Sequence, residues 1–166
     1  MARPLEEGTK DSAFAAPGRV LIVDDQPELR RLFKRSLSKA GFEVVEAWNG
    51  RVAIQLLQQS RFDVVISDVR MPDLSGVELL KELHDLDPDL PVVLTSGSPD
   101  ESTSSEANQY GAFGYLMKPV PFDVMRDTAE RAVLLRRARA EARELFEPYA
   151  SVERLRVPRR PDGDDE

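Results

Sequence analysis

The sequence predicts a doubly wound α/β fold, in which helices cover both faces of a parallel sheet. Short runs of β-branched and aliphatic residues alternate along the chain with longer segments that have helical spacing. Strands that are apolar along their whole length are typical of sheets buried on both faces. Strand–helix units of this kind follow one another five times between residues 18 and 137. A five-stranded parallel sheet with right-handed crossovers accounts for this order.

The individual elements follow from two periodicities, apolar runs for strands and three-to-four spacing for helices. The strand candidates are residues 20–23, 42–46, 64–66, 92–94 and 113–117. The helix candidates are residues 27–40, 51–58, 77–86 and a last segment from residue 122. The apolar positions at helical spacing in the first and third helices are Leu29, Leu32, Phe33, Leu37, Leu79, Leu80, Leu83 and Leu86. Pro27 and Gly41 suit the start and the end of the first helix.

The composition fits one domain with flanking segments. The chain has 166 residues, of which 41% are hydrophobic and 32% charged, and it has no cysteine. The absence of cysteine excludes disulfides and thiolate chemistry. No apolar run approaches the ~18 residues of a membrane span, and residues 1–17 lack the apolar core of a secretory signal. We therefore expect a cytoplasmic protein without a membrane partner, and its net charge of −7 disfavours binding to nucleic acid.

Charged and polar side chains collect where the predicted strands end. Asp24 and Asp25 follow the first strand, and Asp68 follows the third. Thr95 ends the fourth strand, and Lys118 follows the fifth. Because the carboxyl ends of parallel strands meet at one edge of a sheet, we expect these side chains to lie close together.

Three neighbouring carboxylates repel one another unless a cation or a proton joins them. Hard oxygen ligands without soft ones favour Mg²⁺ or Mn²⁺. A lysine and a hydroxyl beside such an ion would bind the remaining oxygens of a phosphate. Asp68 ends the predicted central strand and is the best candidate to accept a phosphoryl group. The pair Asp24 and Asp25 is better suited to the cation.

The chain resembles the receiver domain of two-component response regulators in four strings of residues. They are VLIVDDQP at 20–27, DVVISDVRMPDLSG at 63–76, LTSG at 94–97 and GAFGYLMKP at 111–119. The resemblance covers roughly residues 19–137. It implies a flavodoxin-like fold with the strand order 2-1-3-4-5.

The resemblance also implies which residues bind the metal and the phosphoryl group. Asp68 matches the phosphoacceptor. Asp24 and Asp25 match the acidic pair that holds Mg²⁺, one of them directly and the other through water. The backbone carbonyl of Arg70 matches a further metal contact.

The same resemblance implies a switch on the neighbouring strands. Thr95 matches the switch hydroxyl, Tyr115 the switch aromatic residue, and Lys118 the phosphate-binding lysine. The peptide bond between Lys118 and Pro119 is expected to be cis. After phosphorylation, Thr95 would bond the phosphoryl group and Tyr115 would turn inward.

The implied function is signalling rather than enzymatic catalysis. A sensor histidine kinase would donate the phosphoryl group, and an unknown downstream protein would bind the face formed by the fourth helix, the fifth strand and the fifth helix. Only 166 − 121 = 45 residues follow Pro121. We therefore expect no DNA-binding or enzymatic output domain. Domain organisation is predicted as a disordered lead-in over 1–17, the receiver over 18–137, a helical extension over 138–150 and a disordered tail over 151–166.

Three other functions were weighed against this one. A haloacid-dehalogenase-like phosphatase also uses a strand-end aspartate, Mg²⁺, a hydroxyl and a lysine, but it needs Asp-x-Asp where this chain has Asp68-Val69-Arg70. Nucleotide binding is disfavoured because no glycine-rich phosphate loop occurs. A receiver fold that serves as a scaffold, without a need for phosphorylation, stays open.

Two segments depart from an ordinary receiver pattern. The fourth helix, expected over 98–110, contains four consecutive Ser or Thr residues, which are poor helix formers. Only Ala107 and Tyr110 suit core contacts there. Such a helix is either an ordinary surface helix of low stability, or it is short, frayed or displaced before phosphorylation. Arg70 is either solvated or contacts the phosphoryl group or Glu28 across the site entrance.

The fifth helix is expected to run from Phe122 to Glu147 and to end at Pro148. That length of 26 residues, ~39 Å, exceeds what the sheet needs. Its arginines alternate with acidic residues, which favours a solvated face. A stripe at helical spacing could pair two copies of the chain as a homodimer or pack against a partner. Its members are Thr128, Ala132, Leu135, Ala138, Ala142, Leu145 and Tyr149.

Overall fold

Five parallel strands form one sheet at the centre of the molecule. They are β1 (Arg19–Val23), β2 (Glu43–Ala47), β3 (Val64–Asp68), β4 (Val92–Ser96) and β5 (Gly114–Met117). Their order is β2-β1-β3-β4-β5, and every neighbouring pair is parallel. The predicted fold class and strand order are confirmed. The structure, a computed structural model, describes residues 18–98 and 100–150, with only the backbone at 148–150, so the predicted lead-in and tail lie outside the described residues.

Five helices connect the strands and cover both faces of the sheet. They are α1 (Pro27–Lys39), α2 (Gly50–Gln59), α3 (Gly76–Leu86), α4 (Glu101–Gln109) and α5 (Phe122–Ala150). Alternate residues of β1 enter two separate core clusters, because successive side chains of a strand point to opposite faces. Ile22 packs with Phe33 and Met125 in the cluster under α1 and α5. Leu21 packs with Leu79 in the cluster under α2, α3 and α4. No helix in the described part of the chain has the length and apolar character needed to cross a membrane.

Two leucines at the predicted apolar helical positions lie on the surface instead. Leu32 is 55% exposed and Leu86 is 54% exposed. The buried stripe of α1 runs at a spacing of four through Phe33 and Leu37, and Leu32 lies about 100° around the helix from Phe33. Leu86 is the last residue of α3, where the helix leaves the sheet. Apolar spacing alone therefore overestimates the width of the buried stripe.

The fourth helix is formed, over nine residues, in spite of its Ser/Thr run. Asp100 caps its start, since Oδ1 accepts from the amides of Ser102 (3.0 Å) and Thr103 (3.4 Å). Both hydroxyls also donate to this carboxylate, at 2.7 and 2.8 Å. Ala107 is buried as expected, but Tyr110 is 39% exposed, so the prediction of a core contact for Tyr110 is wrong. Its ring lies under the Lys81 ammonium, 4.2 Å from the ring centre.

The fifth helix is longer than predicted and uses a different buried stripe. It continues through Pro148 to Ala150, so the prediction that it ends at Glu147 is wrong. A proline removes one helical hydrogen bond but leaves the residues after it free to keep helical angles. Among the members of the predicted stripe whose side chains the structure describes, from Thr128 to Leu145, only Ala132 is fully buried, and residues 138–147 are all exposed. The stripe that packs on the sheet consists of Met125, Ala129, Ala132 and Val133.

Two arginines of α5 form ion pairs with aspartates outside the helix. Arg136 donates to both carboxylate oxygens of Asp87, at 2.7 and 2.5 Å. Arg143 lies 2.5 Å from a carboxylate oxygen of Asp89. Both aspartates lie between α3 and β4, at the amino edge of the sheet. These ion pairs join the later turns of α5 to the amino edge of the sheet.

Candidate functional site

Three carboxylates meet at the carboxyl edge of the sheet. Asp24 and Asp25 follow β1, and Asp68 ends β3, which is the neighbour of β1. Each offers an oxygen, and these oxygens all lie within 4.8 Å of one another. Asp24 and Asp68 are buried, whereas Asp25 is exposed. The structure therefore brings together the acidic residues that the strand ends predicted.

Lys118 reaches into this acidic cluster from the end of β5. Its Nζ lies 3.1 Å from Oδ2 of Asp24 and 3.2 Å from Oδ2 of Asp68. The Lys118 amide donates to the carbonyl of Ser96 at 2.8 Å, which ties the lysine to the end of β4. The peptide bond before Pro119 is cis, as the resemblance implied. One ammonium thus bridges the two buried carboxylates.

The environment of Asp68 raises the pKa of its carboxyl above the ordinary value. Burial raises the pKa of Asp68, and the neighbouring carboxylate of Asp24 raises it further, while Lys118 acts in the opposite direction. The raised pKa indicates that the protein groups around Asp68 leave its charge incompletely compensated. A divalent cation would supply that missing compensation.

The loop after Asp68 is held by a close approach between β3 and α3. The Gly76 amide donates to the Val69 carbonyl at 2.8 Å. A Cβ atom on Gly76 would lie 2.4 Å from the carbonyl oxygen of Asp68, so only glycine fits there. Ser75 and Glu78 form a reciprocal cap at the start of α3. Together these contacts fix the backbone on the acceptor side of the site.

The two candidate switch residues occupy the strands beside Asp68. Thr95 pairs with Asp68 in the sheet register and is buried. Its hydroxyl lies 3.5 Å from the Ser67 carbonyl, a weak contact. Tyr115, on β5, packs against the cluster under α3 and α4, and its hydroxyl is buried without a hydrogen-bond partner. The inward turn of Tyr115 after phosphorylation stays a prediction.

Arg70 lies at the entrance to the site. Its amide is 3.4 Å from Oδ1 of Asp68, which places the backbone of this residue next to the acceptor. Its side chain is exposed, and no ion pair joins it to Glu28 in the part of the chain that the structure describes. An open groove of about 500 Å³ lies beside it and is also lined by Asp25 and Thr103. Of the three acidic residues of the cluster, Asp25 is the one that faces this groove.

The donor set fits Mg²⁺. All three side chains offer hard carboxylate oxygens, and the exposed Asp25 leaves the ion open to water and phosphate on one side. The metal ligands would be Asp24, Asp25 and Asp68, with the carbonyl of Arg70 as a further predicted ligand. Lys118 can stay beside the same oxygens as a binding group for phosphate.

Sequence reasoning missed one residue close to this site. Arg30, on α1, donates from Nη1 to the backbone carbonyl of Asp24 at 2.7 Å. Its side chain is only 15% exposed and also lies near Glu46 of β2. A charged residue on the first turn of a helix is ordinarily expected to be solvated. No pattern in the sequence therefore indicated the hydrogen bond from Arg30 to the Asp24 carbonyl.

Comparisons with known proteins agree with this geometry. A family profile described as "Response regulator receiver domain" matches residues 20–130. The C4-dicarboxylate transport transcriptional regulatory protein DctD of Pseudomonas aeruginosa is 39% identical over 132 residues, which cover 80% of this chain and 29% of that protein. The regulatory protein AtoC of Escherichia coli is 36% identical over 138 residues, covering 83% of this chain and 30% of AtoC.

Solved structures are similar over the same region. A response regulator receiver domain protein from Clostridium thermocellum superposes with a TM-score of 0.70 at 29% identity, covering 72% of this chain and 97% of that one. The chemotaxis protein CheY4 of Vibrio cholerae gives a TM-score of 0.67 at 34% identity, covering 70% of this chain and 99% of that one.

The length of the relatives bears on the prediction that this chain has no output domain. The chain spans about 30% of the length of the curated regulators named above. These relatives therefore give no support to the predicted absence of an output domain or of a nucleic-acid partner. The family that matches the region of the site is the receiver family and not that of haloacid-dehalogenase-like phosphatases. The fold, the strand-end cluster and these matches together show that the chain belongs to the response regulator receiver family.

Proposed function

We propose that this chain is a phosphorylation-controlled receiver in which Asp68 accepts a phosphoryl group from a sensor histidine kinase. The observation that carries the proposal is the position of Lys118, whose ammonium lies within 3.2 Å of both buried carboxylates. A half-buried lysine between two acids provides one positive charge for two negative ones. The arrangement is suited to receiving a divalent cation and a phosphate.

The proposed chemistry is an in-line transfer. A carboxylate oxygen of Asp68 forms a bond to phosphorus while the bond from phosphorus to the partner's histidine nitrogen breaks, and the imidazole leaves with the electron pair. Mg²⁺ bound by the three acids would neutralise charge on the transferring group. Lys118 contacts the same region and offsets the remaining charge. Small acyl phosphates contain an equivalent leaving group and can replace the histidine donor.

The proposed switch uses the weak contact of Thr95. Its hydroxyl lies 3.5 Å from the Ser67 carbonyl and can exchange this contact for a phosphoryl oxygen on the adjacent Asp68. Tyr115 would then fill the space next to Thr95 more completely, since its buried hydroxyl has no partner to hold it elsewhere. The new hydrogen bond from Thr95 would thereby shift the equilibrium between two conformations of the neighbouring surface.

The proposed output face comprises α4, β5 and the start of α5. Apolar side chains are exposed along it, with Tyr110 at 39%, Met117 at 45% and Phe122 at 43%. Exposed apolar groups of this kind are typical of protein contacts. The net charge of −7 also supports a protein partner rather than nucleic acid for this face.

A homodimer through the extension of α5 belongs to the same proposal. We take the receiver as residues 18–137 and the extension as 138–150. Leu145 and Phe146 are each 68% exposed on the extension. Pairing with a second copy would bury them. Sedimentation of a variant with both residues changed to Glu tests this, and an unchanged association state contradicts it.

The phosphoacceptor is tested by incubation with Mg²⁺ and acetyl phosphate, followed by measurement of the intact mass. The wild-type chain should gain one phosphoryl group, and Asp68→Asn should gain none. Asp73→Asn is the matched control, because Asp73 lies on the same loop, is exposed and stands outside the acidic cluster. Equal labelling of wild type and Asp68→Asn would favour the scaffold alternative instead.

A further inference from the structure

Asp24 is held by contacts from four parts of the fold. Its amide donates to the carbonyl of Ala47, at the end of β2, at 3.2 Å. Oδ1 accepts from the Gln26 amide at 2.9 Å, and Oδ2 lies 3.1 Å from Nζ of Lys118. Its carbonyl oxygen accepts from Nη1 of Arg30 at 2.7 Å. Arg30 supplies the shortest of these contacts.

The burial of Arg30 is not explained by its other partners. Its side chain is 15% exposed, and its Nε is buried without a hydrogen bond. Glu46 lies 3.8 Å from that Nε, beyond hydrogen-bond distance, and Glu46 is shared with Lys34 at 3.3 Å. A buried guanidinium is unfavourable unless its donors are satisfied. The short hydrogen bond to the Asp24 carbonyl is therefore the main polar contact of the Arg30 side chain.

That carbonyl belongs to the peptide unit that joins Asp24 to Asp25. A peptide unit is planar, so a bond that fixes its carbonyl oxygen also fixes the direction of the following amide and Cα. Asp25 is the one exposed member of the acidic cluster. The direction of its carboxylate therefore depends on the orientation of this peptide.

We propose that Arg30 is a positioning residue for the metal site, which orients the peptide between Asp24 and Asp25 so that both carboxylates and Asp68 share one cation. This inference rests on the proposed function, because it assumes that the cluster binds Mg²⁺. Groups that hold metal ligands in place commonly alter metal affinity by about tenfold or more when they are removed.

Charge and positioning predict effects of opposite sign at this residue. The guanidinium is positive and close to the cluster, so its charge alone weakens the binding of a cation. If Arg30 acted only through charge, a neutral replacement would tighten Mg²⁺ binding. If it acts by positioning, a neutral replacement weakens Mg²⁺ binding in spite of the lost repulsion.

The test is a calorimetric titration of the full chain with MgCl₂ alone, in the absence of any phosphodonor. Arg30→Met, which keeps the apolar stem, should bind Mg²⁺ about tenfold more weakly than wild type. Arg30→Lys, which keeps a donor and the charge, should recover part of the loss. Arg31→Met is the matched control, since Arg31 is the exposed neighbour on the same helix, and its affinity should stay within about twofold of wild type.

Thermal unfolding without Mg²⁺ separates positioning from general stability. If Arg30→Met does not fold, Arg30→Gln, which keeps an amide donor, replaces it in the titration. Mg²⁺ affinity equal to or tighter than wild type in the neutral variant overturns the inference, as does an equal loss in Arg31→Met. A wild-type chain that binds no Mg²⁺ contradicts the proposed function itself, which is a different outcome from wild-type binding that the Arg30 variants leave unchanged.

Discussion

Asp68 is a carboxylate that the fold removes from water at the end of its central strand. It is 6% exposed, it lies beside the buried Asp24, and Nζ of Lys118 lies 3.2 Å from its Oδ2. Burial and the second carboxylate raise its pKa, so the folded state binds the Asp68 proton more tightly than the unfolded state does. The fold thus gives up some stability at neutral pH to keep this carboxylate buried.

The stability that the fold loses by burying the ionised Asp68 can be measured. In Mg²⁺-free buffer at pH 7, Asp68→Asn should unfold at a temperature about 2–4 °C higher than wild type, the shift for ~1 kcal/mol in a chain of this size. The gain should disappear as the pH falls below the ordinary carboxylate value of 3.8, where wild-type Asp68 is also neutral. Thermal unfolding over a pH series measures it.

The Asp73 carboxylate accepts from the amides of Gly50 and Arg51 at the start of α2, so the control for that series is Asp85→Asn, at an exposed position of α3 outside the cluster. Its unfolding temperature should follow wild type at every pH. An Asp68→Asn variant that is less stable than wild type at pH 7 would show that ionised Asp68 is favourable to the fold, contrary to its raised pKa.

At the scale of elements, α4 shows how one cap can form a helix from poor helix formers. Asp100 receives two backbone and two hydroxyl hydrogen bonds from Ser102 and Thr103. These bonds lower the pKa of Asp100 to about 2, so the charged cap persists over the whole physiological range. Ser and Thr near a helix start are compatible with such a cap, although they disfavour the helix interior.

Removal of this cap should therefore loosen α4. In Asp100→Ala, amide exchange across residues 103–109 should become roughly fivefold faster than in wild type, as expected for loss of a helix cap. Glu101→Gln, in the first turn of the same helix, is the control and should exchange at nearly the wild-type rate. Rapid exchange of these amides in the wild-type chain itself would instead support the frayed or displaced helix.

An ion pair between Arg136 and Asp87 joins α5 to the loop before β4. The hydrogen bonds from Arg136 hold the pKa of Asp87 below its usual value. The pair therefore stabilises the fold above the ordinary carboxylate value of 3.8, and this contribution is lost as the pH falls through the lowered pKa of Asp87.

Asp87→Asn should lower the unfolding temperature at pH 7 by about 2–4 °C, which corresponds to ~1 kcal/mol for a partly exposed pair. The difference from wild type should shrink under strongly acidic conditions. Asp85→Asn, at an exposed position on α3, should leave the unfolding temperature unchanged. Equal unfolding temperatures for Asp87→Asn and wild type at pH 7 would mean that this junction adds no stability.

At the scale of the whole molecule, α5 connects the two edges of the sheet. Its first turn follows the segment from Lys118 to Pro121, beside the acidic cluster, and its 29 residues extend about 44 Å. Its later turns bind Asp87 and Asp89 at the opposite edge. A structural change around Lys118 could therefore be transmitted along α5, which extends beyond the domain.

The sequence alone predicted the sheet and the acidic cluster because both depend on local patterns. Apolar runs locate the strands, and parallel strands bring their ends together whatever the details of packing. It did not predict the buried stripe of α5, the exposure of Leu32 or the contact of Arg30. Those depend on how wide a stripe each helix buries and on which long side chains turn inward, which only tertiary packing decides.

The most direct test of the account is to locate the phosphoryl group itself. After incubation with Mg²⁺ and acetyl phosphate, borohydride reduction converts an aspartyl phosphate into homoserine, and peptide mass spectrometry identifies the altered residue. The account predicts reduction at Asp68 alone, and only when Mg²⁺ is present. Reduction at another aspartate, or labelling of Asp68 that does not require a divalent ion, would contradict it.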